Sequence, residues 1–297
     1  MTTLNEARPS VNSGKILTSD QIDVAMLARC RSSLPGNDPL LIAFSHHVRA
    51  GGGRTRARLA YQASLLLNLT EEDALELATA VELVHNASLV QDDFQDRSEN
   101  RRGRSSVWYT YGMDTAVCLT DLLLSSSFAS LSTISHTSVV PQLISHLHRA
   151  VTQTLRGQLN DVSRDENSTI ENYLSIAERK SGPFFALALE LPLIVAGHQG
   201  NVVDASRAAS HFALGYQIID DIADKETDRY CEAGVNAFLI LEQKLGEELA
   251  LSKTLDLAQE QLEISRSFVA ELPNGFLSLI EALIKPLEET IINYRHA

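Results

Sequence analysis

The stretch from Thr70 to Asp96 constrains this chain more than any other. Thr70-Glu-Glu-Asp73 is a helix-capping signal, and behind it Ala74, Leu75, Leu77, Ala78, Val81, Val84 and Leu89 recur at helical spacing. That pattern predicts one long helix over 71–95. The same grammar runs through the rest of the sequence. Thr18-Ser-Asp-Gln21 reads as a capping box ahead of Ile22, Val24, Ala25 and Leu27. Further helices are predicted from about Pro39 toward Gly51, from Arg54 to Leu69, over 116–133, 138–163, 170–196, 202–226 and 234–248, with two more near the C-terminus. Gly103 and Gly112 mark a loop, and Ser163–Ser168 is the most polar gap. No segment alternates polar and apolar residues as a strand does, and no linker is long enough to separate a second domain from the first. The reading is a single all-α domain over 1–297, a large helical bundle, with 1–17 set apart as a tail.

Composition narrows the function. The net charge of −13 argues against a general nucleic-acid binder, which needs basic surface to displace counterions. Three cysteines without a C-x-x-C pair fit a reducing compartment and give no sign of a zinc site or disulfide framework. The N-terminus lacks the basic-then-apolar pattern of a secretory signal. The most apolar stretch, Phe184 to Ala196, is interrupted by Glu190 and Pro192 and is too short to span a bilayer. No transmembrane segment and a cytoplasmic location are expected.

Two acidic clusters carry the chemistry. Asp92 and Asp96, in Gln91-Asp92-Asp93-Phe94-Gln95-Asp96, lie four apart on one helical face. Like charges at this spacing repel, and a helix C-terminus disfavours anions. An arrangement so poor for the bare helix points to a bound cation, and hard oxygen ligands suit Mg²⁺. Taken alone, the cluster reads equally well as a solvated helix end. The pattern recurs as Asp220-Asp221-Ile222-Ala223-Asp224, again on a helix behind an apolar run. Two such clusters facing across a helical cavity would hold divalent ions, and those ions a diphosphate. This also explains how an acidic protein takes an anionic substrate. Basic groups accompany them: Arg54 and Arg56 after Gly51-Gly52-Gly53, and Arg101, Arg102 and Arg104 beyond the first cluster. Arginine is the natural bidentate partner of phosphate.

On these residues the chain resembles the trans-isoprenyl diphosphate synthases, from about residue 40 to the end. Six motifs stand in that family's order: Gly51–Arg56, His85–Asp96, Arg101-Arg102-Gly103, Gly157-Gln158-Leu159-Asn160-Asp161, Lys180-Ser181-Gly182 and Tyr216–Asp224. The resemblance implies a bundle of the isoprenoid synthase type with a central cavity. It implies three Mg²⁺ ions holding an allylic diphosphate, with Asp92, Asp96 and Asp220 as direct ligands and Asp93, Asp221 and Asp224 as indirect ones. By the same resemblance Arg101 and Lys180 contact the allylic diphosphate. Arg54, Arg56, His85 and Arg102 fall in or beside the isopentenyl diphosphate pocket. Ser181 and Gln217 match positions near the developing carbocation, and Gln158 and Asp161 a helix facing the first aspartates. A homodimer is expected.

The implied activity is prenyl transfer: ionisation of an allylic diphosphate and attack by isopentenyl diphosphate, giving an all-trans polyprenyl diphosphate. Product length follows from what lies beneath Asp92. Ser88 and Ala87 sit one turn, about 5.4 Å, deeper on the helix, and Val84 a further turn down. Small residues there predict a cavity deep enough for a product of geranylgeranyl length or longer. Two features depart from the family pattern. Gly53 stands where the family has a lysine for isopentenyl diphosphate. The segment Lys225–Gly234 after Asp224 is short where the family has a glycine- and lysine-bearing loop, and Lys225 and Arg229, the cations nearest to replacing it, stand in the wrong register. The competing readings are a diverged terpenoid synthase, acting on an allylic diphosphate without elongation, and a non-catalytic subunit of a heteromeric synthase.

Overall fold

Both capping signals form. In the computed structural model, which describes residues 17–162, 169–230 and 235–296 (Asp161, Val162 and Tyr230 by backbone alone), Thr18 and Gln21 exchange side-chain and backbone hydrogen bonds at the start of α1, Ser19–Arg31. The Thr70 side chain accepts from the amide of Asp73 and opens α4, Glu71–Gln95, over the predicted range. Between them run α2, Pro39–Val48, capped by Asp38, and α3, Thr55–Leu66. Beyond α4 come α5, Val107–Tyr111; α6, Met113–Leu131; α7, Val140–Val162; and α8, Ile170–Val195. The C-terminal half adds α9, Val202–Ala223; α10, Lys225–Tyr230; α11, Ala237–Leu245; α12, Glu247–Val269; and α13, Phe276–His296. The protein is all-α, as expected.

Several details differ from the sequence reading, beginning with the short helix α5 inside the loop expected between Gly103 and Gly112. The helix expected over 202–226 ends at Ala223, with Asp224 as its C-cap, and α10 starts afresh. The loop around Gly103 contains a minimal antiparallel hairpin, β1 Asn100–Arg101 and β2 Arg104–Ser105, turning through Arg102 and Gly103, both at positive φ. Two residues per strand leave no alternation for a pattern to reveal. Leu17, assigned to the tail, is buried in the core; residues 1–16 lie outside the described residues, as does the polar gap Ser163–Ser168.

Helix α8 is the centre of the bundle. It packs against α7, α9, α3 and α4, while α4 lies between α3 and α6, and α12 covers α9. From Gly182 to Val195 every residue of α8 is buried, so its apolar run is a core helix. Among the described residues no helix is long and apolar enough to cross a membrane. Glu190 is tolerated in that run because His146 of α7 meets it at 2.7 Å. Close approach of α7 to α8 depends on Gly157: a Cβ there would stand 2.8 Å from the backbone nitrogen of Lys180.

Candidate active site

The first acidic wall is the C-terminal end of α4. Burial pushes the Asp92 carboxyl up to about 6; Asp96 adds to this, while the Lys180 ammonium opposes it. Asp93 points elsewhere. It is buried and takes a bidentate ion pair from Arg101, whose Nε is 2.9 Å from each carboxylate oxygen. Arg101 sits on β1, so this pair folds the hairpin back against α4. Asp93 therefore anchors Arg101 in this structure.

The second wall is the end of α9. Asp220 and Asp224 are exposed there, and burial followed by the charges of Asp224 and Asp228 raises the Asp220 pKa. Asp221 is buried and pushed up to about 7, because desolvation outweighs the hydrogen bonds it receives. The Ala237 amide donates to it at 2.7 Å and Gln217 Nε2 at 3.0 Å. Ser181 Oγ in turn donates to Gln217 Oε1 at 3.1 Å. Asp221 thus ties α9 to the start of α11, and Ser181 and Gln217 tie α8 to α9.

A cavity of about 240 Å³ is lined from both walls, though Asp92 and Asp220 are not in its lining. Asp96 lines it from the C-cap of α4, Lys180 and Ser181 from α8, Gln217 and Asp221 from α9 with Asp224 at its C-cap, and Asp228 from α10. Among the described residues no three carboxylate, histidine or cysteine side chains converge tightly enough to cage an ion by themselves. The carboxylates of Asp96, Asp221, Asp224 and Asp228 in one lining are hard oxygen donors of the kind Mg²⁺ takes alongside waters and phosphate oxygens.

The basic pocket lies beside the first wall. Arg56 Nη1 donates to His85 Nε2 at 3.1 Å, and burial together with Arg56, Arg102 and Arg101 holds His85 well below the usual imidazole range. His85 is therefore a neutral ring whose Nε2 accepts. The Arg56 Nε is buried without a hydrogen-bond partner among the described residues. Arg102 donates to the Gly51 carbonyl, and its guanidinium lies where a Cβ on Gly52 (φ +134°) would stand. Glycine at 52 is thus required for the Arg102 position. Arg54 is different. It is buried, with Nε 2.7 Å from Asp23 and Nη1 3.7 Å from Glu82, and it donates to the carbonyls of Gly51 and Val48. Its donors are engaged in holding the glycine turn.

A narrow cavity of about 50 Å³ descends from Asp92. Ser88, Ala87 and Val84 line it at successive depths on α4, with Thr120 and Leu124 from α6 and Val151, Thr154 and Gln158 from α7. Phe184 forms the α8 wall. Thr154 Oγ1 and both amide atoms of Gln158 are buried without partners among the described residues. The Asp161 side chain lies outside the described residues.

Sequence reasoning missed three residues. Glu82, 2% exposed, stands beneath Arg54 and Arg56; its signal was an acid three residues before His85 on an apolar helix face. Asp228 extends the Asp220–Asp224 spacing by four more and enters the shared cavity. Phe185, under Arg56, gave no signal within its apolar run. The two cations that follow Asp224, out of register with the family's loop, are engaged elsewhere. Lys225 pairs with Glu247 at 2.9 Å and Arg229 with Glu242 at 2.8 Å. Both cations are held by the acidic side chains of α11 and α12, and neither lines the shared cavity.

Residues 38–233 match the polyprenyl synthetase family. Over 190 residues the chain is 30% identical to a short chain isoprenyl diphosphate synthase of Methanocaldococcus jannaschii, covering 63% of this chain and 58% of that protein. It is also 30% identical over 186 residues to a geranylgeranyl pyrophosphate synthase of Geoglobus acetivorans, covering 61% of this chain and 58% of that one. The matched sequence thus spans less than two thirds of these relatives. The fold agrees over a longer stretch. The geranylgeranyl pyrophosphate synthetase structure from Geoglobus acetivorans superposes with a TM-score of 0.79 at 22% identity, covering 92% of this chain and 97% of that one. A decaprenyl diphosphate synthase from Rhodobacter capsulatus gives 0.76 at 21% identity, covering 93% and 99%.

Proposed function

Because the chain belongs to the polyprenyl synthetase family, we propose that it condenses an allylic diphosphate with isopentenyl diphosphate to give an all-trans polyprenyl diphosphate. The observation that carries this is the single cavity shared by Asp96 of α4 and Asp221, Asp224 and Asp228 beyond it, with Lys180 among them. On this reading Asp92, Asp96 and Asp220 hold Mg²⁺ directly, with Asp93, Asp221 and Asp224 supporting them. Three ions per site are expected once a diphosphate is bound. When bound, Mg²⁺ supplies charge neutralisation to the leaving diphosphate. Lys180 and Arg101 bind the same group and favour the charge that develops as the carbon–oxygen bond breaks. Arg56, His85 and Arg102 orient isopentenyl diphosphate, whose double bond attacks the allylic cation. The Ser181 hydroxyl and Gln217 amide present oxygen dipoles to that cation, and the departing diphosphate takes the proton lost from the adduct. The bundle walls exclude water, which would otherwise trap the cation as an alcohol.

The tail would grow into the cavity beneath Asp92. Ala87 and Ser88 in its lining support a product of geranylgeranyl length or longer. The protein acts as one domain and as a cytoplasmic homodimer. Exposed Val117 on α6 and exposed Leu155 and Leu159, one turn apart on α7, support a subunit contact there. Incubation with farnesyl diphosphate, Mg²⁺ and labelled isopentenyl diphosphate tests the activity. Incorporation of label into a longer allylic product is expected. Consumption of farnesyl diphosphate without incorporation would favour the terpenoid synthase reading, which draws support from Gly53 and from the pairing of Lys225 and Arg229 away from the cavity. Consumption of neither would favour the non-catalytic subunit.

A further inference from the structure

Arg56 of the basic group has an aromatic floor beneath its guanidinium. The Arg56 Cζ lies 4.0 Å from the centroid of the Phe185 ring. Phe185 is itself fixed: it is 3% exposed, and Phe212 of α9 meets it edge-on at 5.1 Å. One edge of the guanidinium donates to His85, while Nε is buried without a partner among the described residues. The ring contact therefore fixes where the guanidinium sits, and the His85 bond limits how it turns there. The unpartnered donor is left at a set position.

We infer that Phe185 is a positioning residue for the homoallylic substrate: its ring holds Arg56 so that the free donor meets a diphosphate oxygen. The inference rests on reading this pocket as the isopentenyl diphosphate site. Two features make the ring matter. With Gly53 in place of a lysine, Arg56 and Arg102 carry the pocket's positive charge, because Arg54 is taken up by Asp23 and Glu82. Arg56 is also half-buried, and a cation over a ring is attracted more strongly there than in open water. Burial alone would disfavour the charged guanidinium, and it lowers the Arg56 pKa to about 10, with Glu82 opposing that loss. The ring face offers compensation of the same sign as Glu82 without a carboxylate that would compete with substrate for the Nε donor.

The test separates the ring's charge from its volume. Phe185 is replaced by leucine and, in parallel, by phenylalanines carrying one or three ring fluorines, which drain the face while nearly conserving shape. Calorimetry with isopentenyl diphosphate in metal-free buffer measures Kd. A graded weakening with fluorination is expected, reaching about tenfold for the trifluoro ring and for F185L. With allylic diphosphate and Mg²⁺ added, KM for isopentenyl diphosphate should follow the same order while KM for the allylic substrate stays constant. A Kd indifferent to fluorination overturns the inference, even if F185L fails to fold. So does wild-type protein that does not bind isopentenyl diphosphate. Wild-type protein that binds it but incorporates no label defeats the elongation reading instead, and the fluorine series still decides the role of the ring.

Discussion

Gly53 is the residue at which the basic pocket falls short of its motif. Its φ lies outside the positive range, and a Cβ there would meet only the Thr55 hydroxyl, at 3.1 Å, a group free to rotate aside. A side chain is therefore tolerated, and Gly53→Lys should restore a charge-assisted contact of about 1.5–3 kcal/mol. The expected result is a KM for isopentenyl diphosphate lowered about ten- to a hundredfold with kcat little changed; an unchanged or raised KM would show that the pocket has been rebuilt for another ligand. Asp92 gives a second prediction at this scale. Its folded-state pKa, about 6, stands above the ordinary carboxylate value of 3.8. The fold therefore favours the protonated acid, so Asp92 imposes no penalty at low pH and a growing one as pH rises from about 4 to 6. Asp221, raised to about 7, acts in the same direction over a window reaching higher. At pH 7.5 without metal, Asp92→Asn should raise Tm by about 2–4 °C, a gain of about 1–2 kcal/mol after discounting for partial exposure, while abolishing activity. Calorimetric melting checks it, and a lower Tm for the variant would contradict the sign.

Helix α4 shows what an element's sequence makes legible. Its limits, its cap and the shared face of Asp92 and Asp96 all follow from one cap and one period, because nothing tertiary competes with them. The lining role of Ala87, Ser88 and Val84 was readable for the same reason: helical geometry converts residue number into depth. Ala87→Phe should fill that cavity, and mass spectrometry should then show shorter products than wild type; an unchanged product series would mean that the tail runs elsewhere. The direction of Asp93 was not readable. It depends on Arg101, carried by a hairpin too short to leave a pattern. Phe185 under Arg56 joins α8 to α3, and Lys225 with Glu247 joins α10 to α12; no local period reports such pairings. Gly157 belongs to this class too. Gly157→Ala would drive α7 from the α8 backbone and displace Lys180. A loss of about 1–3 kcal/mol in chemical denaturation, with a larger fractional loss of activity than Gly200→Ala in open space, is expected.

At the scale of the whole molecule, the proposed reading asks an acidic protein to gather two diphosphates. On that reading the basic side chains would take one substrate, and the paired aspartate walls would reach the other through divalent ions. The exposed apolar residues of α6 and α7 belong to this scale as well. Leu159, 67% exposed, lies on the proposed subunit contact, so Leu159→Glu should convert a dimer to a monomer in sedimentation velocity; sedimentation identical to wild type would remove α7 from the interface. The account as a whole depends on the two walls acting together. Calorimetric titration of a non-hydrolysable allylic diphosphate analogue, with and without Mg²⁺, tests that most directly. Tight binding only with Mg²⁺, lost in Asp92→Ala and equally in Asp220→Ala, is the predicted result. Equal affinity in the presence of a chelator, or binding that survives the loss of either wall, would contradict it.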